Sequence, residues 1–189
     1  MLSIAEPSPA ALDRLVARQH GQPFSYPDVG ATRTSVPNGH RNGRQVVDLG
    51  RGEAVFERAS QGLRTWQAHR RAGVHVHPAD APLEEGVDVV LAVRVAHVWS
   101  TVACRLVYVL EEPTRFGFAY GTLPDHVLEG EEAFTVERDD ADLVRFVVSA
   151  FFRPRGPVMA AVGPLVFRLD QQLVRRYLRG MQQHVTDPA

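Results

Sequence analysis

The chain contains no lysine, so its 21 basic residues are all arginine. They are matched by 22 acidic residues, which leaves a net charge of −1 and a pI near 6.7. That balance excludes a globally basic nucleic-acid binder. Cysteine is nearly missing as well. Cys104 stands alone, which rules out an internal disulfide framework and fits a reducing compartment. The longest near-continuous apolar run, Val158–Phe167, is too short to span a bilayer and is broken by Pro164. The opening stretch Met1–Pro7 has neither the basic start nor the apolar core of a signal peptide. The chemistry-bearing motifs that are lacking include a phosphate-binding glycine loop, a nucleophile-elbow serine and a CxxC pair; Gly50-Arg51-Gly52 is too little for a nucleotide site. The expectation is a soluble cytoplasmic protein with no nucleic-acid partner and no stable membrane insertion.

What is present is enough apolar material for a core: 44% of the 189 residues are hydrophobic and 23% are charged. The chain reads as a single domain over 1–189, with residues 1–20 as an N-terminal helical extension. Ser8 followed by Pro9 starts a short helix over 8–19. Residues 21–45, rich in Gly, Pro and Asn, read as a loop with one short strand around Thr32–Ser35. A strand is expected at Gln45–Leu49. Three- and four-residue apolar steps predict a helix over Glu53–Arg70, kinked near Ser60-Gln61-Gly62 and ended by Gly73. Strands follow at Val74–His77, Val87–Trp99, Val102–Glu111, Phe116–Leu123, Glu132–Glu137 and Leu143–Phe152. Their short connections, including Ser100-Thr101, imply an antiparallel meander. No repeat with a period of roughly 20–50 residues appears.

Pro157 opens the last long helix, which runs to His184. Val158, Val162, Leu165, Leu169 and Leu173 form its apolar stripe, with Val166 and Tyr177 at the edge, while Arg168, Arg175 and Arg179 lie elsewhere. Each such side chain contributes about 1.5–3 kcal/mol when buried, so the stripe demands an apolar partner. Alternation supplies one. Val89, Leu91, Val93, Val95, Val102, Cys104, Leu106, Tyr108, Phe116, Phe118, Tyr120, Phe134, Val136, Val144, Phe146, Val148 and Phe152 share one bulky sheet face. The opposite face, with Gly117, Ala119, Gly121 and several arginines, is small and charged, and should meet water or a second copy of the chain. The fold class is therefore α+β: a curved antiparallel sheet of about seven strands wrapped around a long C-terminal helix, the helix-grip layout.

Phe116-Gly117-Phe118-Ala119-Tyr120-Gly121-Thr122-Leu123-Pro124, with His126, Gly130-Glu131-Glu132 and Phe134, resembles the signature of an uncharacterised domain-of-unknown-function family of bacteria and plants. Gly50–Phe56, Trp66, Val76-His77-Pro78 and Ala103–Val109 resemble its other blocks, in order, over about residues 20–180. Asp125 and Val102 depart from the family pattern. The family is similar to the superfamily of START lipid carriers, polyketide cyclases and birch-pollen-allergen-like proteins. The resemblance implies a START-like helix-grip fold and a hydrophobic pocket, and it brings no established reaction. Fold alone does not supply one.

Within that frame the expected ligand is a hydrophobic or amphipathic small molecule, lipid or polyketide-like, in a cavity between sheet and C-terminal helix. The residues expected to line it are Tyr120, Thr122, Tyr108, His97, Phe118, Trp66 and Leu169. If the pocket is catalytic, as in a cyclase, dehydratase or hydrolase, Tyr120, His126 and Glu131 are the candidates for proton transfer. A third alternative is a structural or interaction module with a filled core. Cys104 reads as a buried small hydrophobe. His75 and His77 form a two-histidine pair without a third ligand, so no metal and no cofactor is expected. The arginine row over 153–179 suits peripheral contact with an anionic surface, and a homodimer through the small-residue face stands as an alternative.

Overall fold

In the computed structural model, which describes residues 2–34, 39–95, 97–156 and 163–187, a bent antiparallel sheet carries helices on both faces. In chain order the elements are β1 (Leu2–Ser3), α1 (Pro9–Gln19), β2 (Arg41–Arg51), α2 (Glu53–Arg64), α3 (Gln67–Arg71), β3 (Val74–His77) and β4 (Asp88–Val95). They continue with β5 (Val98–Glu112), β6 (Arg115–Thr122), β7 (Leu128–Arg138), β8 (Leu143–Pro154) and the helix α4 (Gly163–Thr186). The sheet order is β2-β8-β7-β6-β5-β4-β3, with β1 added beside β5. The meander from β3 to β8 follows from the short turns between strands, and β2 closes the far edge by pairing with β8.

The concave face is the expected one. Val89, Leu91, Cys104, Leu106, Phe118, Tyr120, Phe134, Val136, Val144, Phe146 and Val148 pack against Phe56, Leu63, Trp66, Val174, Tyr177, Met181 and Val185 of the helical layer. The helix α4 meets this core along Val174, Tyr177, Met181 and Val185, so its buried stripe is rotated relative to the predicted one. Tyr177 is its centre and not its edge; Leu169 and Leu173 are half-buried. Pro157, Val158 and Val162 lie outside the described residues, as does the side chain of Leu165. Pro164 stands in the first described turn, where its missing N–H costs nothing.

Several local expectations are corrected. The strand predicted over Val87–Trp99 reverses at His97, so Ser100-Thr101 lies inside β5 and not in a turn. The helix predicted over Glu53–Arg70 breaks at Trp66, which takes φ 58°, and not at Ser60-Gln61-Gly62. A left-handed tryptophan is costly, and here it is held by complete burial and by a 2.9 Å hydrogen bond from Nε1 to the Ala81 carbonyl. Of the short strand expected around Thr32–Ser35, the residues up to Arg33 form a 3-10 turn, Ala31–Arg33, and Ser35 lies outside the described residues. The strand predicted at Gln45–Leu49 is the middle of a longer one, Arg41–Arg51.

The convex face is covered by the chain's own N-terminal part. Leu12 and Leu15 of α1 pack on Val90, Ala92, Trp99, Ala103 and Leu123, while Phe24 packs beside Val107, Tyr108, Ala119 and Ala133. The occupant of the small-residue surface is therefore the 21–34 segment. At Gly121 a Cβ would fall 2.1 Å from the Tyr26 hydroxyl, so only glycine admits that ring. Arg105 ties the same layer to the sheet by donating to the carbonyl of Gln22 (2.7 Å), while Asp88 of the neighbouring strand holds its guanidinium at 2.6 Å.

Candidate functional site

The β6–β7 ladder pairs Tyr120 with Glu132, and both side chains point into the concave core. The Tyr120 hydroxyl donates to Glu132 Oε2 at 2.8 Å and lies 3.3 Å from His69 Nε2 on α3. The Tyr177 hydroxyl of α4 joins the same network. His69 is wedged among rings, with centroids 4.6 Å from Phe134 and 4.7 Å from Tyr177. Two adjacent strands, the short helix and the final helix thus each bring one polar group to a single point in an otherwise apolar interface.

Two atoms of this cluster have no hydrogen-bond partner: Glu132 Oε1 and His69 Nδ1. Burial alone holds His69 down to about 3, so the ring is neutral at physiological pH. Burial, and then the nearby Asp170 carboxylate, push the Glu132 carboxyl well above the ordinary range, while the Tyr120 hydrogen bond opposes that shift. Asp170 on α4 is raised too, chiefly by burial. With Oε2 engaged by Tyr120, the proton of a neutral Glu132 belongs on Oε1, the unpartnered oxygen. A neutral carboxyl with a free donor beside a tyrosine hydroxyl can bind or protonate a carbonyl.

A narrow seam runs along the same interface between α4 and the β2–β8 edge. It holds about 10 Å³ of free space, about the room of one water molecule, between Val148, Ala150, Phe152, Val174 and the polar pair Asp170 and Gln171. Gln45 of β2 reaches across it to Gln171 at 2.6 Å. Ala150 is the register partner of Glu132 in β8, which puts the carboxyl at the inner margin of the seam.

The residues expected at the site divide. Tyr120 is in the network, and Phe118 and Trp66 pack at its margin with centroids 4.9 Å apart. Leu169 is half-buried on α4, next to Asp170. Tyr108 is not on the inner face. A bulge at Val107 shifts the register, so Leu106 faces Tyr120 but Tyr108 pairs with Ala119 and points outward. There its hydroxyl bonds Thr32 at 2.9 Å, with Arg33 over its ring. His97 is exposed at the β4–β5 turn. Thr122 uses its hydroxyl on Ser25 (2.6 Å) and the Gly130 amide (3.0 Å).

His126 and Glu131 also lie away from the network. His126 Nδ1 accepts from the Leu128 amide at 2.9 Å, and burial holds the ring down to about 4. Glu131 points to the convex side and accepts from Tyr26 (2.8 Å), the Gly30 amide (2.7 Å), the Thr32 amide (3.1 Å) and the Thr32 hydroxyl. It anchors the 21–34 segment. His75 and His77 face Glu6 and Asp13 of the N-terminal layer at 3.5 and 2.7 Å. Burial raises the Cys104 thiol far above its ordinary value, which makes it unreactive.

Sequence reasoning missed His69, Glu132, Tyr177 as a central residue, and Asp170. For Glu132 a signal was there: the alternation that sends Phe134 and Val136 inward also sends Glu132 inward.

A curved sheet gripping a C-terminal helix is the START-like helix-grip fold. A START superfamily protein from Mycobacterium smegmatis aligns at TM-score 0.56 and 14% identity, over 80% of this chain and 100% of its own. Human STARD10 aligns at TM-score 0.54 and 10% identity, over 97% and 82%. At such identities the likeness concerns the fold. Residues 25–180 match the family described as Domain of unknown function (DUF1990), and the chain belongs to that family. A UPF0548 protein of Deinococcus radiodurans is 36% identical over 95% of this chain and 96% of its own length. One from Arabidopsis thaliana is 28% identical over 74% and 70%. No described helix is long and apolar enough to cross a membrane.

Proposed function

We propose that the protein binds a small amphipathic molecule along the seam between α4 and the β2–β8 edge. The polar end of that molecule meets Glu132 and Tyr120, and its apolar part lies on Val148, Ala150, Phe152 and Val174. One observation carries this reading: a half-buried carboxyl on the helix-facing side of the sheet whose Oε1 is shut off from solvent and has no hydrogen-bond partner. Such a group costs about 1–3 kcal/mol of stability, which a ligand acceptor at Oε1 recovers.

The packing of α4 supports the same reading. Its C-terminal half docks through Tyr177, Met181 and Val185, all nearly inaccessible. Its N-terminal half rests on half-buried Val166, Phe167 and Leu169 and on the Gln45–Gln171 bond. A ligand larger than water enters by lifting the weaker half while the other stays anchored. The experiment is native mass spectrometry of the protein purified from its own host, with extraction of what it carries. A reproducible amphipathic compound supports the reading; a consistently bare chain overturns it.

One observation favours a second reading, a reaction in the same place. A carboxyl whose pKa is raised by burial and which is hydrogen-bonded to a tyrosine is equipped as a general acid. A compound carried by Glu132→Gln in a chemically different form from that carried by the wild type identifies an enzyme; the same compound in both leaves a carrier.

A further inference from the structure

A second opening lies elsewhere. A groove of about 710 Å³ runs between α2, the end of the β5–β6 hairpin and the C-terminal end of α4. That volume lies within the roughly 300–1,000 Å³ common for small-molecule sites. Phe56 and Phe116 line it, and Arg64 is stacked 4.0 Å over the Phe116 ring and paired with Glu111.

Two polar side-chain atoms in its wall lack hydrogen-bond partners, Ser60 Oγ and His184 Nε2. Ser60 is only 7% exposed, and its hydroxyl makes no hydrogen bond. His184 Nε2 is likewise buried and unpartnered. Its ring hydrogen-bonds the Arg58 backbone, where a carbonyl is the available acceptor, so Nδ1 carries the proton and Nε2 the lone pair. Burial also keeps the ring below the ordinary histidine pKa and hence neutral. The imidazole fits because position 62 is glycine: a Cβ there would lie 2.5 Å from His184 Cδ2.

The charges in the wall decide the ligand's charge. Arg58 donates to the Val185 carbonyl at 2.8 Å, and Arg64 is neutralised by Glu111. Glu112 is paired with Arg115 at 3.5 Å and Glu57 offsets the charge of Arg58, so the wall carries no net charge and suits an uncharged ligand. We propose that this groove is a binding site, independent of the seam, for a small neutral molecule with an apolar ring or chain and one hydroxyl or N–H donor. The donor meets His184 Nε2, Ser60 supplies the second hydrogen bond, and the apolar body covers Phe56 and Phe116.

The test is calorimetric titration of the full chain with 2-naphthol, which has the ring and the donor, and with 2-methoxynaphthalene, which has the ring alone. The expected result is saturable one-to-one binding of 2-naphthol, about tenfold weaker for the methoxy compound. Ser60→Ala and His184→Phe each weaken 2-naphthol by about five- to tenfold, and His184→Phe removes its advantage over the methoxy compound. Ala54→Trp, at an exposed position in the groove wall, abolishes binding without touching the core. Equal binding of the two compounds overturns the proposal, as does no binding of 2-naphthol. So does binding that survives Ala54→Trp. If that surviving binding is lost in Ala150→Trp, the probe sits in the seam: the groove proposal then fails while the seam reading stands.

Discussion

Tyr120 and Glu132 face each other across the β6–β7 ladder, and the tyrosine hydroxyl donates to the carboxyl at 2.8 Å inside the core. The pair joins sheet to helices electrically as well as sterically. His69 and Tyr177 touch the same hydroxyl, and Asp170 lies close enough to raise the pKa of Glu132.

The first prediction concerns alkaline pH. A carboxyl whose pKa is raised on folding binds its proton more tightly in the native state than in the unfolded chain. Its stabilisation is present below the ordinary carboxylate pKa and is lost as pH rises through the folded value. Glu132→Gln should therefore be about 1–3 kcal/mol more stable than wild type at pH 9, with no gain at pH 5. Urea unfolding at the two pH values checks this. Equal differences at both would show that Glu132 is ionised throughout.

The second concerns acid. His69, held down to about 3, loses its contribution as pH falls from the ordinary histidine range toward that value, because the unfolded chain takes up the proton first. His69→Phe should flatten the fall in stability between pH 6 and pH 4 while His126 keeps part of it. Thermal melts across that interval report the slope. An unchanged slope would exclude His69 as its source.

The third concerns the convex face. Glu131 holds the 21–34 segment through four donors, of which the closest backbone one is Gly30 at 2.7 Å. Glu131→Gln should cost about 1.5–3 kcal/mol and speed hydrogen exchange in residues 22–34, leaving β7 and β8 protected. Gly121→Ala should loosen the same segment by displacing Tyr26. Exchange that rises equally in β7 and β8 would mean that Glu131 supports the whole sheet.

The helix-grip architecture was legible because it rests on strong periodicities: alternation in β4–β8 and a three-four stripe in the last helix. Where single residues decide, the reading failed for identifiable reasons. One extra residue, Val107, reverses the side of the sheet on which Tyr108 lies, and no pattern in the local sequence marks it. Glu131 stands out as a loop carboxylate when the strand is taken to begin at Glu132; the strand begins at Leu128, and its alternation turns Glu131 outward and Glu132 inward. His69 was hidden in an amphipathic helix, where its neighbours come from β6, β7 and α4. The role of the 21–34 segment was invisible, because a loop's partner is set by long-range contacts. Gly121 and Glu131 hold it from residues far along the chain.

The central claim is that the seam beside Glu132 takes an amphipathic molecule. The most direct measurement is native mass spectrometry of three proteins expressed in the original host: wild type, Glu132→Leu, and Ala150→Trp, which fills the seam. The account predicts one bound compound on wild type, much reduced occupancy in Glu132→Leu and none in Ala150→Trp. A wild-type chain that is always bare, or a compound retained equally by all three, would contradict it.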